Sequence, residues 1–143
     1  MRDSLTTAAV ASGAGACMCG LSGCASKTPQ INETFVKRNN GEVVLDIAKI
    51  PELAHSGSSA RLTAGKKSIL VIRTGEDTYA ALSNKCTHFG RPVEYDAAAG
   101  TLVCSSFGHS AFDLSGKVLK GPAKKPLTCY EATLKDGKLT ISV

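Results

Sequence analysis

Beyond residue 41 the apolar positions fall into short runs broken by glycine, aspartate and lysine, and none keeps the period of a long helix. Strands are expected at 42–47, 60–63, 68–73, 78–83, 93–95, 101–103 and 116–119. The continuous run Ile69-Leu70-Val71-Ile72 marks the most deeply buried of them. Residues 74–77 and 96–100 read as turns, and 51–59 as a loop rich in serine and glycine. Segments 127–134 and 138–143 are expected to form a hairpin across Asp136-Gly137, a strong turn dipeptide. The pattern predicts an all-β domain, a small antiparallel sandwich or barrel, without internal repeats.

The first 41 residues follow a different pattern. From Ser4 to Ser26 there is no charge, and alanine, glycine, serine and threonine dominate. A membrane-spanning helix needs about 20 strongly apolar residues; this stretch is long enough but too weakly apolar. With Arg2 ahead of it, it suits a bacterial export signal. Leu21-Ser22-Gly23-Cys24 resembles a bacterial lipoprotein lipobox, which would make Cys24 an acylated first residue of the mature chain. Residues 1–24 are therefore expected to be an export signal. Residues 25–41 are polar and read as a linker, and the folded domain is expected at 42–143. The protein is expected on the periplasmic or cell-envelope side, tethered to the membrane by its signal or its lipid.

Composition narrows the function. The 43% hydrophobic content supports a folded core, and 143 residues suit one domain after the signal. The net charge of +5 is spread along the chain, with no arginine-rich run interleaved with aromatics, so nucleic-acid binding is not expected. The six cysteines are uneven: Cys17, Cys19 and Cys24 sit in the leader, Cys86 and Cys104 in two later loops, and Cys129 alone in an expected strand as a small buried apolar residue. This is not a disulfide framework.

The two later loops carry the chemistry. Asn84-Lys-Cys-Thr-His-Phe-Gly-Arg-Pro92 supplies Cys86 and His88; Cys104-Ser-Ser-Phe-Gly-His-Ser-Ala-Phe-Asp113 supplies Cys104 and His109. Thiolates and imidazoles suit iron–sulfur clusters and zinc. Each loop leaves the end of an expected strand, a rigid support for a site. The remaining histidine, His55, lies in the distant serine- and glycine-rich loop.

Cys86-Thr-His88, fifteen intervening residues, then Cys104 with a nearby histidine resemble the Rieske iron–sulfur family. The flanks are similar too: Leu82-Ser-Asn, Gly90, Phe112-Asp113, Leu114-Ser-Gly-Lys-Val118 and Gly121-Pro-Ala123 before Pro126-Leu127. The resemblance covers about 42–143. It implies a Rieske-type sandwich or barrel with a cluster-binding subdomain inserted between strands. It also implies a 2Fe–2S cluster, with Cys86 and Cys104 on one iron and His88 and His109 on the other. Neutral imidazoles in place of two thiolates make an added electron less costly. The implied role is one-electron transfer, as a carrier or a small redox subunit rather than a catalyst by itself. The implied partners are a redox donor and acceptor, such as a cytochrome or a membrane oxidoreductase, and Lys117, Lys120, Lys124 and Lys125 are placed to steer an acidic one.

Three departures from the family pattern matter. His109 follows Cys104 by five residues rather than three, and Phe107 stands where the family has histidine. Arg91 and Ser106 occupy the positions of a disulfide found in many members, so packing, Pro92 and the Gly121-Pro-Ala loop must hold the loops instead. Ser110 is in place to hydrogen-bond cluster sulfur, but Phe112 replaces a donating tyrosine; the reduction potential is expected below that of quinol-oxidising members. Two alternatives use the same residues: a structural Cys2His2 zinc domain, and a metal-free binding module on the same fold.

Overall fold

A computed structural model describes residues 26–143; the expected export signal and Cys24 lie outside the described residues. Twelve strands follow in chain order: β1 (Val36–Asn39), β2 (Glu42–Asp46), β3 (Ser59–Ala64), β4 (Lys67–Arg73), β5 (Tyr79–Ser83), β6 (Val93–Asp96), β7 (Thr101–Cys104), β8 (Ala111–Phe112), β9 (Val118–Lys120), β10 (Cys129–Tyr130), β11 (Ala132–Lys135) and β12 (Lys138–Ser142). They form three four-stranded antiparallel sheets, ordered β1-β2-β12-β11, β10-β5-β4-β3 and β6-β7-β8-β9. Among the described residues the only helical segments are short 3-10 turns. The all-β expectation therefore holds.

The middle sheet explains the continuous apolar run in β4. Ile69 and Val71 pack into one core, toward the first sheet, with Val43, Leu45, Leu139 and Ile141. Leu70 and Ile72 pack into a second core, with Leu82, Val93, Leu102 and Phe112. Successive strand residues point to opposite faces, so a strand between two cores needs apolar side chains at every position. The third sheet is inserted between β5 and β10, which pair with each other through Leu82 with Cys129 and Ala81 with Tyr130. The loop-bearing sheet thus rises from a closed base, as the inserted-subdomain expectation had it.

Residues 25–41 are not a free linker where the structure describes them. Ile31 is fully buried, residues Glu33–Phe35 form a 3-10 turn, and β1 pairs with β2 from Val36 opposite Leu45 to Asn39 opposite Glu42. The two residues between those strands are Asn40-Gly41, and Gly41 has φ +86°. Asn-Gly is a signal for a two-residue hairpin, and here Gly41 supplies the positive φ while Asn40 does not. This is the signal that Asp136-Gly137 also carries, with φ of +51° and +71° between β11 and β12. The expected strand at 127–134 is also divided. β10 and β11 belong to different sheets, so the chain changes sheet at Glu131.

Candidate metal centre

Loop one begins where β5 ends. Asn84 is buried; its N–H donates to Ser68 O (2.8 Å), and its side-chain oxygen accepts the N–H of Val93 (3.3 Å). Cys86 N–H donates to Arg91 O and Gly90 N–H to Cys86 O, both at 2.8 Å, so the loop folds over its own cysteine. Loop two begins at the end of β7, where Cys104 N–H donates to Ser110 O at 2.8 Å. The loops are joined by Ser105 N–H to Pro92 O at 3.0 Å. A third segment braces both: Thr87 Oγ1 donates to Lys125 O (2.7 Å), and Ala123 N–H donates to Ser110 Oγ (2.9 Å). Backbone hydrogen bonds, Pro92 and the Gly121-Pro-Ala loop thus do the work of the missing cross-link.

Cys86 and Cys104 are buried, unlinked and adjacent, and both belong to the second core. Burial pushes the Cys86 thiol upward and its hydrogen bond with Cys104 adds to that, while the N–H groups of His88 and Phe89 oppose it. Cys104 Sγ meets Ser106 Oγ at 2.9 Å and accepts Ser106 N–H at 3.4 Å. His88 is half-buried, and its Nδ1 is buried without a hydrogen-bond partner. A buried unpaired polar atom is costly, so this ring nitrogen, two residues from Cys86, is a donor suited to a metal group. The ring lies against Phe89, centroids 3.8 Å apart.

His109 is placed differently. It is exposed, its φ is +46°, and it shares a hollow with Cys104, Glu94 and Lys27, whereas His88 borders a separate hollow with Pro122, Lys124 and Lys125. Glycine tolerates left-handed φ better than histidine. Its neighbour Gly108 has φ +98°, and a Cβ there would stand 3.0 Å from Pro122. Residues 105–109 therefore fold tightly against the Pro122 segment, and His109 is exposed. Among the described residues no three His, Cys, Asp or Glu side chains gather closely enough to hold one ion. The four expected ligands are thus brought together only in part.

Ser110 is fully buried, and its Oγ accepts from Ala123, which leaves its O–H free to donate. Phe112 is fully buried in β8, opposite Leu102. Cys129 corrects an expectation: it lies in a strand but is exposed, because β10 is an edge strand, and its thiol donates to Ser115 O at 3.0 Å. Gly116 lets that segment approach, since a Cβ there would meet Leu127 O at 2.6 Å. Glu94 is a functional contact the sequence did not announce. Its carboxylate accepts from Ser26 Oγ (2.5 Å), Lys27 N–H (3.1 Å), Thr28 N–H (3.0 Å) and Thr28 Oγ1, fastening the N-terminal strap beside loop two.

These features define a class: an all-β protein that presents paired thiol and imidazole donors on two adjoining loops at one end of a sandwich. The chain belongs to the Rieske [2Fe-2S] domain family, whose model it matches over residues 43–131. It is 33% identical over 75 residues to the cytochrome b6-f complex iron-sulfur subunit of Chlorobaculum tepidum, covering 52% of this chain and 40% of that protein. It is 33% identical over 92 residues to the same subunit of Trichodesmium erythraeum, covering 62% and 51%. These matches span about half or less of the relatives' lengths. The plasma membrane Rieske protein PetC3 from Synechocystis PCC 6803 superposes with a TM-score of 0.54 at 28% identity, over 59% of this chain and 86% of that one. The ferredoxin of carbazole 1,9a-dioxygenase from Nocardioides aromaticivorans shares the fold, with a TM-score of 0.57 at 19% identity, over 69% and 96%.

The cofactor is accordingly a 2Fe–2S cluster. Cys86, Cys104 and the unpaired Nδ1 of His88 suit such a group, and His109 lines a hollow with Cys104. No helix of the described residues is long and apolar enough to cross a membrane.

Proposed function

We propose that this chain is a one-electron carrier, exported and tethered through Cys24, that passes electrons between a redox donor and acceptor of the cytochrome or membrane-oxidoreductase kind. The observation that supports it best is the buried Cys86–Cys104 pair together with the unpartnered, buried Nδ1 of His88. On this reading Cys86 and Cys104 hold one iron and His88 the other. His109 is the fourth donor, since neither loop contains another histidine. Its side chain lines the hollow that also contains Cys104. The bound cluster supplies the redox chemistry; the protein buries the thiols, braces the loops and leaves Ser110 O–H free to hydrogen-bond cluster sulfur. The relatives that are cytochrome b6-f subunits and a plasma membrane Rieske protein make a membrane-side role the natural comparison.

Anaerobic reconstitution of the full chain, followed by reduction and EPR, tests the carrier. A Rieske-type signal is expected. A colourless, EPR-silent product would sink the reading, and stoichiometric zinc in the isolated protein would replace it with the zinc alternative. His109→Ala is expected to abolish the Rieske signal; an unchanged spectrum removes His109 from the ligand set. Cys24→Ala is expected to move the mature chain from the membrane to the soluble fraction, and unaltered fractionation would refute the lipid tether.

A further inference from the structure

The loop end of the molecule is unusual in two ways that the cluster does not require. Phe107 is 101% exposed and Phe89 is 71% exposed, the two most exposed large apolar side chains among the described residues. They face one another across a hollow of about 450 Å³, completed by Arg91, Ser105 and Ser106. The hollow next to it holds the His88 edge with Lys124 and Lys125.

Charge is unbalanced at the same end. Between residues 84 and 127 six cations stand against Glu94, Asp96 and Asp113, an excess of three positive charges. All three carboxylates are occupied with nearby N–H groups. Glu94 holds Lys27 and Thr28, Asp96 accepts from Ala98 (3.0 Å) and Ala99 (3.2 Å), and Asp113 accepts from Ser115 and Lys117, both at 2.9 Å. The two ion pairs among the described residues, Arg38–Glu33 and Lys49–Asp46, lie in the base. Arg91, Lys124 and Lys125 are therefore exposed without a carboxylate partner beside the aromatic pair.

We infer that Phe89 and Phe107, rimmed by Arg91, Lys124 and Lys125, form the docking face for an acidic redox protein whose own contact surface is apolar at its centre and carboxylate-rich at its rim. The inference rests on the carrier role and names the chemistry of its partner. Aromatic anchors around a pocket, enclosed by a charged rim, are how protein interfaces concentrate affinity and steer encounter. The hollow between the rings takes a partner side chain, and His88 lies against Phe89, so docking there brings a partner to the His88 edge. A second copy of this chain would bring like charges together. A lipid surface would bury the His88 edge in headgroups, away from any acceptor.

The test uses the full chain and two probes, an acidic single-haem cytochrome c and a basic one, with phosphatidylglycerol vesicles as a third arm. Binding is measured by titration calorimetry across ionic strength, with and without a reconstituted cluster. Ferric-haem reduction by one electron from the reduced chain is followed by stopped flow. The acidic cytochrome is expected to bind and the basic one not to. Phe107→Ser should weaken binding about tenfold at every salt concentration, as loss of a buried aromatic anchor does. Lys124→Glu with Lys125→Glu should slow association several-fold at low salt and flatten its salt dependence. Equal binding of both cytochromes, or an unaltered Phe107→Ser titration, overturns the inference. So does binding to the vesicles that Phe107→Ser abolishes and no cytochrome matches. Because binding is read without the cluster as well, a chain that fails to load a cluster refutes the carrier role while this face is still judged separately.

Discussion

The buried residues of the core between the first two sheets are all aliphatic, from Ile31 through Leu45 and Val71 to Ile141, with Phe35, Tyr79 and Tyr130 packed at its margin. The core on the other side of β4 contains the thiols of Cys86 and Cys104 and the ring of Phe112. Beside it lie buried polar groups, Asn84, Ser106 and Ser110, each with a hydrogen-bond partner. One strand thus divides a region that needs only dispersion and water exclusion from one that depends on directed bonds. Apolar packing tolerates substitution gradually, whereas a network of directed bonds fails at single positions. The base is a scaffold that folds on its own terms, and the loop end is where specificity is placed.

The largest break in this comparison is Cys104→Ser. It should eliminate the cluster absorbance completely while far-UV circular dichroism keeps its β signature; loss of both would mean that the base depends on the loops. Next is Leu45→Ala, a fully buried position in the aliphatic core. It should cost about 2–5 kcal/mol in urea unfolding and leave the EPR spectrum of the folded protein unchanged; an altered spectrum would deny the independence of the two regions. Asn84→Ala removes one of the two acceptors of Val93 N–H, the Asn84 main-chain oxygen remaining. A loss of about 1 kcal/mol is expected, together with faster cluster release, and an unaffected release rate would argue that loop one is held some other way. The smallest effect is electronic. Ser110→Ala should lower the reduction potential by about 40 mV, the one-electron equivalent of a hydrogen bond worth about 1 kcal/mol. Phe112→Tyr should raise it, and potentials that do not move would show that neither side chain addresses the cluster sulfur.

The sequence disclosed the parts of the fold whose signals are local. The continuous run Ile69–Ile72 marked the strand between the two cores, and Asp136-Gly137 marked a hairpin that the structure contains. Asn40-Gly41 carried the same turn signal, but the polar Lys37-Arg38-Asn39 beside it disguised an outer strand as a linker; Val36 alone faces the core. The division of 127–134 was hidden because changing sheets depends on what each half pairs with, not on local preference. At the site, the spacing of Cys86, His88 and Cys104 revealed which residues would lie near one another. It could not reveal where the His109 ring points, because that depends on Gly108 against Pro122 and on a left-handed backbone at His109 itself. Glu94 was invisible for a similar reason: its partners, Ser26 to Thr28, are more than sixty residues away.

The fastening of Ser26–Thr28 on Glu94 also determines geometry on a larger scale. Any chain preceding Ser26 departs from the loop end of the molecule, beside Cys104 and His109, and not from the base. Were the chain tethered ahead of Ser26, as proposed, the pivot would lie close to the loop end, and rotation would move that end little while the base swept a wide arc. If Glu94 lets go, the next attachment is at Pro29 and Ile31, which bond to Arg61. That adds about four residues of slack, roughly 14 Å of extended chain. One glutamate therefore fixes where such a chain leaves the domain and how much of it is free.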